Sequence, residues 1–483
     1  MTSFADEARI ALDNLADRAG GLLHPTLRLG VAGLSRAGKT VFISALVHNL
    51  LHGGRLPLFQ AAASGRIART YLEEQPDDAV PRFQYEDHIR AIVEDRLWPQ
   101  STRAISELRL TIEYESASGW SRYFSAGKLS LDIVDYPGEW LLDLPLLDKD
   151  FTRFSFEAVE RARIASRAGI AADVLAALEA VDPAAPYDEE TGQRLAATFA
   201  DYLRRARQDA TALSTLPPGR FLMPGDLEGS PALTFSPLIL EDGAVYPKGS
   251  FGAVHARRYE AYKSVVVKPF FREHFARLDR QILLVDVLQA INAGPDAVAD
   301  LRQALADILT CFRPGRASWL GSLLTRRIDR ILVAATKADH MHREGHRRLE
   351  AIVRTLVEDA VKNAELSGAQ VEVAAMAAVR ATREASVADR GETLPVIVGT
   401  PASGERLGDE IFDGLRETAI FPGDLPDDPR RLFAAGTSTP AHPTSFVRFR
   451  PPKLERTEEG LTLSLPHIRL DRALQFLIGD RLA

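Results

Sequence analysis

An α/β fold with a mainly parallel sheet is predicted by three features of this 483-residue chain. An apolar strand, Leu27–Ala32, runs straight into a glycine-containing loop and then an amphipathic helix. Two further continuous apolar runs, Gln281–Val287 and Arg330–Ala335, read as buried strands. Glu107–Tyr114 and Lys128–Asp135 read as a hairpin, which adds one antiparallel strand pair. Helices on both faces, a helical insertion and a C-terminal extension complete the plan.

Composition narrows the class. At 46% apolar residues the chain can bury a large core and hold more than one domain. Its net charge is -7 with both signs interspersed, which argues against direct nucleic-acid binding. Cys311 is the one cysteine, so no intrachain disulfide can form, and a reducing, cytoplasmic setting is expected. Cys311 itself reads as a small buried apolar residue. No apolar run approaches the ~18 residues of a membrane span. Residues 1–24 read as an amphipathic helix capped by Ser3, with Phe4, Ala8, Ala11, Leu12 and Leu15 on one face. That face can dock on the globular body or lie on a membrane.

Gly33-Leu-Ser-Arg-Ala-Gly-Lys-Thr40 fits G-x-x-x-x-G-K-[ST]. Strand before and helix after, with Phe42, Leu46, Val47 and Leu50 on one stripe, are the context that gives the pattern meaning. Gly33 permits the tight turn, and Gly38 lets the backbone approach phosphates. The candidate phosphate contacts are Gly33, Ser35, Arg36, Ala37, Gly38, Lys39, Thr40 and Val41, through successive N–H groups at a helix start. Lys39 adds a point charge, and the Thr40 hydroxyl is the expected ligand of Mg²⁺.

Asp135-Tyr-Pro-Gly138 puts a D-x-x-G at the end of the hairpin. Asp135 is expected to hold Mg²⁺ through water, and the Gly138 N–H to bond the terminal phosphate. The Arg330 strand ends in Thr336-Lys337-Ala338-Asp339, which fits the guanine-reading pattern [NT]-K-x-D. A carboxylate there accepts from guanine N1–H and the 2-amino group. Adenine offers no donor at either place and would leave the carboxylate unpaired, a loss that can cost about 10⁴- to 10⁵-fold. Val371–Ala375 reads as a last strand, followed by the small-residue loop Met376-Ala377-Ala378. A backbone N–H of that loop is expected to meet guanine O6. The loop lacks the serine often found there, and the residue that donates stays open.

The ordered set Gly33–Thr40, Asp135–Gly138 and Thr336–Asp339 resembles the Ras-type GTPase domain. More of the chain is similar to the YcjX-like family of bacterial P-loop proteins. The matching stretches are LGVAGLSRAGKTVFISALVHNLL, WPQSTRAISELRLTIEY, IVDYPGEWLLDLPLL, FFREHFARLDRQILLVDVLQAINAG, TKADH, VAAMAAVRATREA and the Phe-Pro-Gly-Asp-Leu-Pro near 421. The resemblance implies GTP or GDP with Mg²⁺ as cofactors and hydrolysis of GTP to GDP and phosphate. It also implies a stress-linked cytosolic role and a membrane protein as candidate partner, with peripheral attachment through that partner. It leaves the oligomeric state open. Two alternatives remain: an ATPase of the same fold using ATP and ADP, and an interaction module with negligible turnover.

The expected layout is an N-terminal helix (1–24), a first G-domain part (25–140), a mainly helical insertion (141–279), a second G-domain part (280–400) and a C-terminal extension (401–483). Helices are expected over Phe154–Leu178, Asp188–Leu213 and Tyr259–Leu278. Residues 53–78, with Gly53-Gly54, Pro57 and an acidic run, read as loop. Thr102, just before the hairpin, is the candidate first-switch residue and third metal-site member. His255 and His274 read as ordinary histidines. Trp140 and Phe446–Phe449 read as core or as partner surface. Glu139 stands where Ras-like domains carry a water-orienting glutamine. Its charge repels a triphosphate, so Arg103 or Arg36 is expected to compensate in cis.

Overall fold

The computed structural model describes residues 25–483 apart from 35, 101–103, 117–126, 209–215, 223, 225–226, 228, 312–327, 367, 390–391, 433–443, 445 and 455–463. The expected helix over 1–24, Ser35, Thr102 and Arg103 lie outside the described residues.

The main sheet is built from β1 (Thr26–Gly33), β2 (Ile67–Glu73), β3 (Ser106–Tyr114), β4 (Gly127–Asp135), β5 (Arg280–Val285), β6 (Arg330–Ala335) and β7 (Gln370–Ala375). Their order is β2-β3-β4-β1-β5-β6-β7. β4, β1, β5, β6 and β7 run parallel, with Leu29 of β1 set between Ile133 and Arg280. β3 and β2 are antiparallel additions. The expected fold class is present, with one correction: two antiparallel pairings replace the single pair. β2 comes from the stretch read as loop. It is an edge strand with no fully buried residue, so its hydrophobic alternation is weak. Its pairing covers the backbone edge that β3 would otherwise expose. Tyr71 donates to Glu113 at 3.0 Å, and Lys128 pairs with Glu73 at 2.9 Å.

Helices α1 (Lys39–Leu51), α2 (Gln60–Ala63) and α3 (Tyr85–Arg90) precede β3. The interval between β4 and β5 carries α4 (Phe151–Ala162), α5 (Ala168–Glu179), α6 (Glu189–Gln208), α7 (Phe251–Tyr262) and α8 (Lys268–Glu273). After β5 come α9 (Val287–Ala293) and α10 (Pro295–Thr310); after β6, α11 (His346–Leu356) and α12 (Glu358–Leu366); α13 (Leu470–Ile478) lies near the end. The stretch expected as one helix over 154–178 breaks between α4 and α5, where buried Arg167 pairs with Asp300. α7 begins eight residues earlier than expected, because the Ser250 side chain caps it by accepting from Ala253 N at 3.3 Å.

Each face of the sheet has its own core. On one, Ala32, Val134, Leu283, Val285 and Val333 pack with the insertion through Phe154, Phe199, Phe235, Tyr259 and Tyr262. Trp140 belongs to this core, so it is a packing residue. On the other, Leu29, Val31, Ile133 and Leu284 meet α1 and α13. α13 places Leu470, Ala473, Leu474, Leu477 and Ile478 on one stripe, all buried. Burying each large one is worth about 2 kcal/mol before entropy is counted. At the foot of β5, fully buried Arg280 pairs with Asp480 and Asp329, at 2.6 and 3.0 Å.

A three-stranded sheet and a separate two-stranded ribbon lie beyond β7. β8 (Arg383–Asp389) and β9 (Glu392–Gly399) form a hairpin, β10 (Arg406–Leu407) pairs with β11 (Glu410–Ile411), and β12 (Thr418–Ile420) adds to β9. The expected boundary at residue 400 falls inside the three-stranded sheet, and α13 of the expected extension sits in the main core. Phe449 is buried in the small core with Ile397 and Ile420.

Candidate nucleotide-binding site

The site forms at the C-terminal ends of β1, β4, β6 and β7. Gly38 is the N-cap of α1, in left-handed conformation at φ 84° and ψ 28°, with no side-chain cap and no acidic residue in the first turn. Space is open around Gly38, so its conformation is what demands glycine. The first N–H groups of α1 and its positive dipole end are thereby left for an anion. Gly33 answers to space instead: a Cβ there would lie 2.8 Å from Leu284 O and 3.2 Å from the Ala37 Cβ. Ala37 N donates to Leu34 O at 3.1 Å and closes the loop. Arg36 is exposed with φ 63°. Lys39 is buried, and its ammonium donates to Gly33 O at 3.1 Å.

Asp135 ends β4 in register with Val31 of β1 and Ser106 of β3. It is buried, as is Thr40 in the first turn of α1. Both offer oxygen donors, the chemistry that Mg²⁺ takes. Among the described residues no three His, Cys, Asp or Glu side chains form a metal cluster, so phosphate oxygens and water would supply the remaining ligands. Tyr136 donates to Gln281 at 2.9 Å. Gly138 touches the phosphate loop directly: a Cβ there would lie 1.6 Å from Gly33 O. That close approach explains the glycine of D-x-x-G.

Glu139 is 2% exposed, and its carboxylate meets Arg207 of α6 at 2.6 Å. The carboxylate is enclosed by protein rather than solvated. Trp140 lies under the Arg220 guanidinium at 3.6 Å. Asp143 accepts from Gly219 N at 2.7 Å, Arg220 N at 3.1 Å and Tyr262 Oη at 2.7 Å. Burial pushes the Asp143 carboxyl up to about 6, against those lowering bonds.

At the base end, Thr336 N donates to Val285 O at 2.9 Å, and Lys337 is left-handed at φ 59°. The Lys337 ammonium pairs with Asp286, the N-cap of α9. Asp339 is 4% exposed, and its Oδ2 accepts from Ala381 N at 2.8 Å. The Asp339 carbonyl accepts from the Thr382 hydroxyl at 2.5 Å. Met376 N donates to Ala335 O at 2.8 Å, and Ala377 N to Ile468 O at 3.0 Å. These bonds correct the expectation that Met376 or Ala377 lends its amide to a base, since both amides are engaged. Ala378 follows, with an amide outside these bonds.

His255 is fully buried, and its Nδ1 accepts from Ser236 N at 3.1 Å. Burial lowers it to about 4, and it serves as a neutral structural histidine. His274 is likewise lowered to about 4 by burial. No helix among the described residues is long and apolar enough to cross a membrane.

Three partners were not found from sequence. Arg207 and Ala381 carry no motif. Asp286 had a readable signal, an Asp at a strand end before a helix, but it was counted into the strand.

The parallel sheet, the left-handed glycine before α1 and the D-x-x-G packed on the first loop glycine define an α/β protein of the P-loop type, with a Ras-like layout. Residues 27–482 match the YcjX-like family, DUF463, and the chain belongs to that family. It is 37% identical to a protein of Escherichia coli (strain K12) named Ras-like GTPase YcjX, over 94% of this chain and 96% of that one. It is 34% identical to a protein of the same name from Shewanella oneidensis, over 98% and 99%.

Proposed function

We propose that this chain binds GTP and GDP with Mg²⁺ and hydrolyses GTP. The observation that carries the reading is Asp339. It is buried at the mouth of β6, two strands from β1, and one oxygen is fixed by the Ala381 amide. A carboxylate held that way suits the two donors of guanine and leaves adenine without a match. Lys337 would stack on the base, with Asp286 steadying its ammonium, and the Ala378 amide is the proposed donor to O6. Gly33 to Val41 would cradle the phosphates. Thr40 and Asp135, with Thr102, would hold Mg²⁺, which would neutralise charge on the outer phosphates.

Water attacks the γ-phosphorus in this reading. A new O–P bond forms, the bond from phosphorus to the β–γ bridging oxygen breaks, the proton lost by the water passes to the phosphate formed, and GDP leaves with inorganic phosphate. Glu139 would accept the hydrogen bond of the attacking water, and the Gly138 amide would bond the γ-phosphate. The name carried by the relatives supports guanine nucleotide as ligand. A nucleotide-dependent, stress-linked switch with a membrane-protein partner is the cellular role we propose. A pull-down comparing GDP with a non-hydrolysable GTP analogue tests it.

Calorimetry with GDP and ADP in Mg²⁺ tests the base. GDP should bind at least about 100-fold more tightly; equal affinities or tighter ADP would move the assignment to an ATPase. Multiple-turnover phosphate release should disappear in Lys39→Ala. Absence of release from the wild type would leave only the interaction module. Thr40→Ala should weaken triphosphate binding far more in Mg²⁺ than in EDTA, and equal effects would remove Thr40 from the metal.

A further inference from the structure

The segment after Gly138 is enclosed by the insertion. Gly219 packs so tightly on Glu139 that a Cβ at 219 would lie 1.9 Å from Glu139 O. Arg220 covers Trp140, and Asp143 gathers Gly219, Arg220 and Tyr262. These contacts pin the backbone around Glu139 and leave its side chain to be placed by something else.

Arg207 does that. It lies in the last turn of α6, a helix anchored by buried Leu195, Phe199, Tyr202, Leu203 and Ala206. Neighbouring arginines behave differently. Arg204 pairs with Asp201 at 2.9 Å and Arg205 with Asp173 at 2.8 Å, as exposed surface pairs. Such pairs contribute little. Arg207 instead turns to a carboxylate whose side chain is 3% exposed, while its own is 24% exposed. A buried carboxylate without a partner of this kind would leave an uncompensated charge.

We propose that Arg207 is the positioning residue for Glu139. This rests on the GTPase reading above. Arg207 offsets the Glu139 charge beside the triphosphate and fixes the carboxylate in the orientation that engages the attacking water. The insertion thereby supplies an arginine in cis that acts through Glu139, in place of Arg103 or Arg36. The Arg207 Nη2 lies 2.6 Å from Glu139 Oε1, so what Arg207 supplies there is a positive charge close to the carboxylate.

Single-turnover GTP hydrolysis at saturating protein tests this with Arg207→Gln, Arg207→Lys, Glu139→Ala and the double variant Arg207→Gln/Glu139→Ala. GDP affinity and thermal unfolding report on the fold. Arg207→Gln and Glu139→Ala should each lower the rate about 10- to 100-fold. The double variant should fall no further than the slower single, because the two act as one unit. Arg207→Lys should recover to within about fivefold of wild type, with GDP affinity unchanged throughout. A wild-type rate in Arg207→Gln, equal rates in the Lys and Gln variants, or losses that multiply in the double variant would overturn the proposal. In those cases wild type still turns over and the GTPase reading stands. A wild type that binds GDP and releases no phosphate would overturn both.

Discussion

The phosphate end and the base end of the site are assembled differently. At the phosphate end the contacts converge on backbone carbonyls: Gly138 on Gly33 O, the Lys39 ammonium on the same carbonyl, Ala37 N on Leu34 O. At the base end side chains and backbone are fixed by other segments: the Asp339 carboxylate by Ala381 N, the Ala377 backbone by Ile468, the His340 ring against Phe449. The helical insertion attaches to the first end through Glu139 and Asp143. The C-terminal residues attach to the second, and α13 also fills the core beneath both. The lesson is a division of labour. The insertion braces the end that carries Gly33–Thr40 and Gly138, and the C-terminal part braces the end that carries Thr336–Asp339.

The largest expected effect belongs to the base end. Asp339→Asn should lower GDP affinity about 10³-fold or more, since one acceptor becomes a donor against guanine. Xanthosine diphosphate should bind better than to wild type, because the new amide can donate to its 2-keto oxygen. Thermal stability should change little, because the remaining side-chain oxygen can still accept from Ala381 N. Calorimetry with both nucleotides checks this; unchanged GDP affinity would separate Asp339 from the base.

A smaller effect is expected at the phosphate end. Gly138→Ala would put a Cβ 1.6 Å from a backbone oxygen. Overpacking against backbone that cannot yield should cost about 3 kcal/mol. Binding of a GTP analogue should fall about 100-fold while the ratio of GDP to ADP affinity stays as in wild type. If that ratio changes as well, the two ends are not separable in the way described.

The insertion junction should show a pH signature. Asp143 titrates near 6 when folded, against an ordinary value of 3.8. The folded chain therefore holds more protons than the unfolded chain between those values, and stability falls as pH rises through that window. The stability of wild type relative to Asp143→Asn should drop by about 3 kcal/mol between pH 3.5 and 6.5, at about 1.36 kcal/mol per unit. Urea unfolding at fixed pH measures it. A flat difference would mean that Asp143 is not buried as a carboxyl at this junction.

The phosphate end was more legible from sequence than the base end because its contacts are made at glycines. Glycines with demanding φ or contact distances leave a fixed pattern, so Gly33, Gly38 and Gly138 could be named from spacing alone. Thr336 to Asp339 was also readable, because a strand end must present those four residues together. The O6 donor was not readable. Which amide in Met376-Ala377-Ala378 is spare depends on Ile468, some ninety residues on. β2 was missed because a half-exposed edge strand has little hydrophobic alternation to show. α13 looked like an appended helix, although its stripe at 470, 473, 474, 477 and 478 was present in the sequence.

What the sequence by itself determined is the set of local constraints. It determined where the chain must turn tightly, where apolar runs must pair inside a sheet, and which polar residues end up at the mouths of those strands. Period, glycine placement and motif order suffice for that, because each is set by a few neighbouring residues. Only the tertiary structure decided which distant groups meet. It put Arg207 on Glu139, Ala381 on Asp339 and Asp480 on Arg280. A buried charge needs a partner, but nothing in its own neighbourhood says which one. That choice is made when α6 and α13 pack their apolar faces, so the pairs follow from packing rather than from spacing.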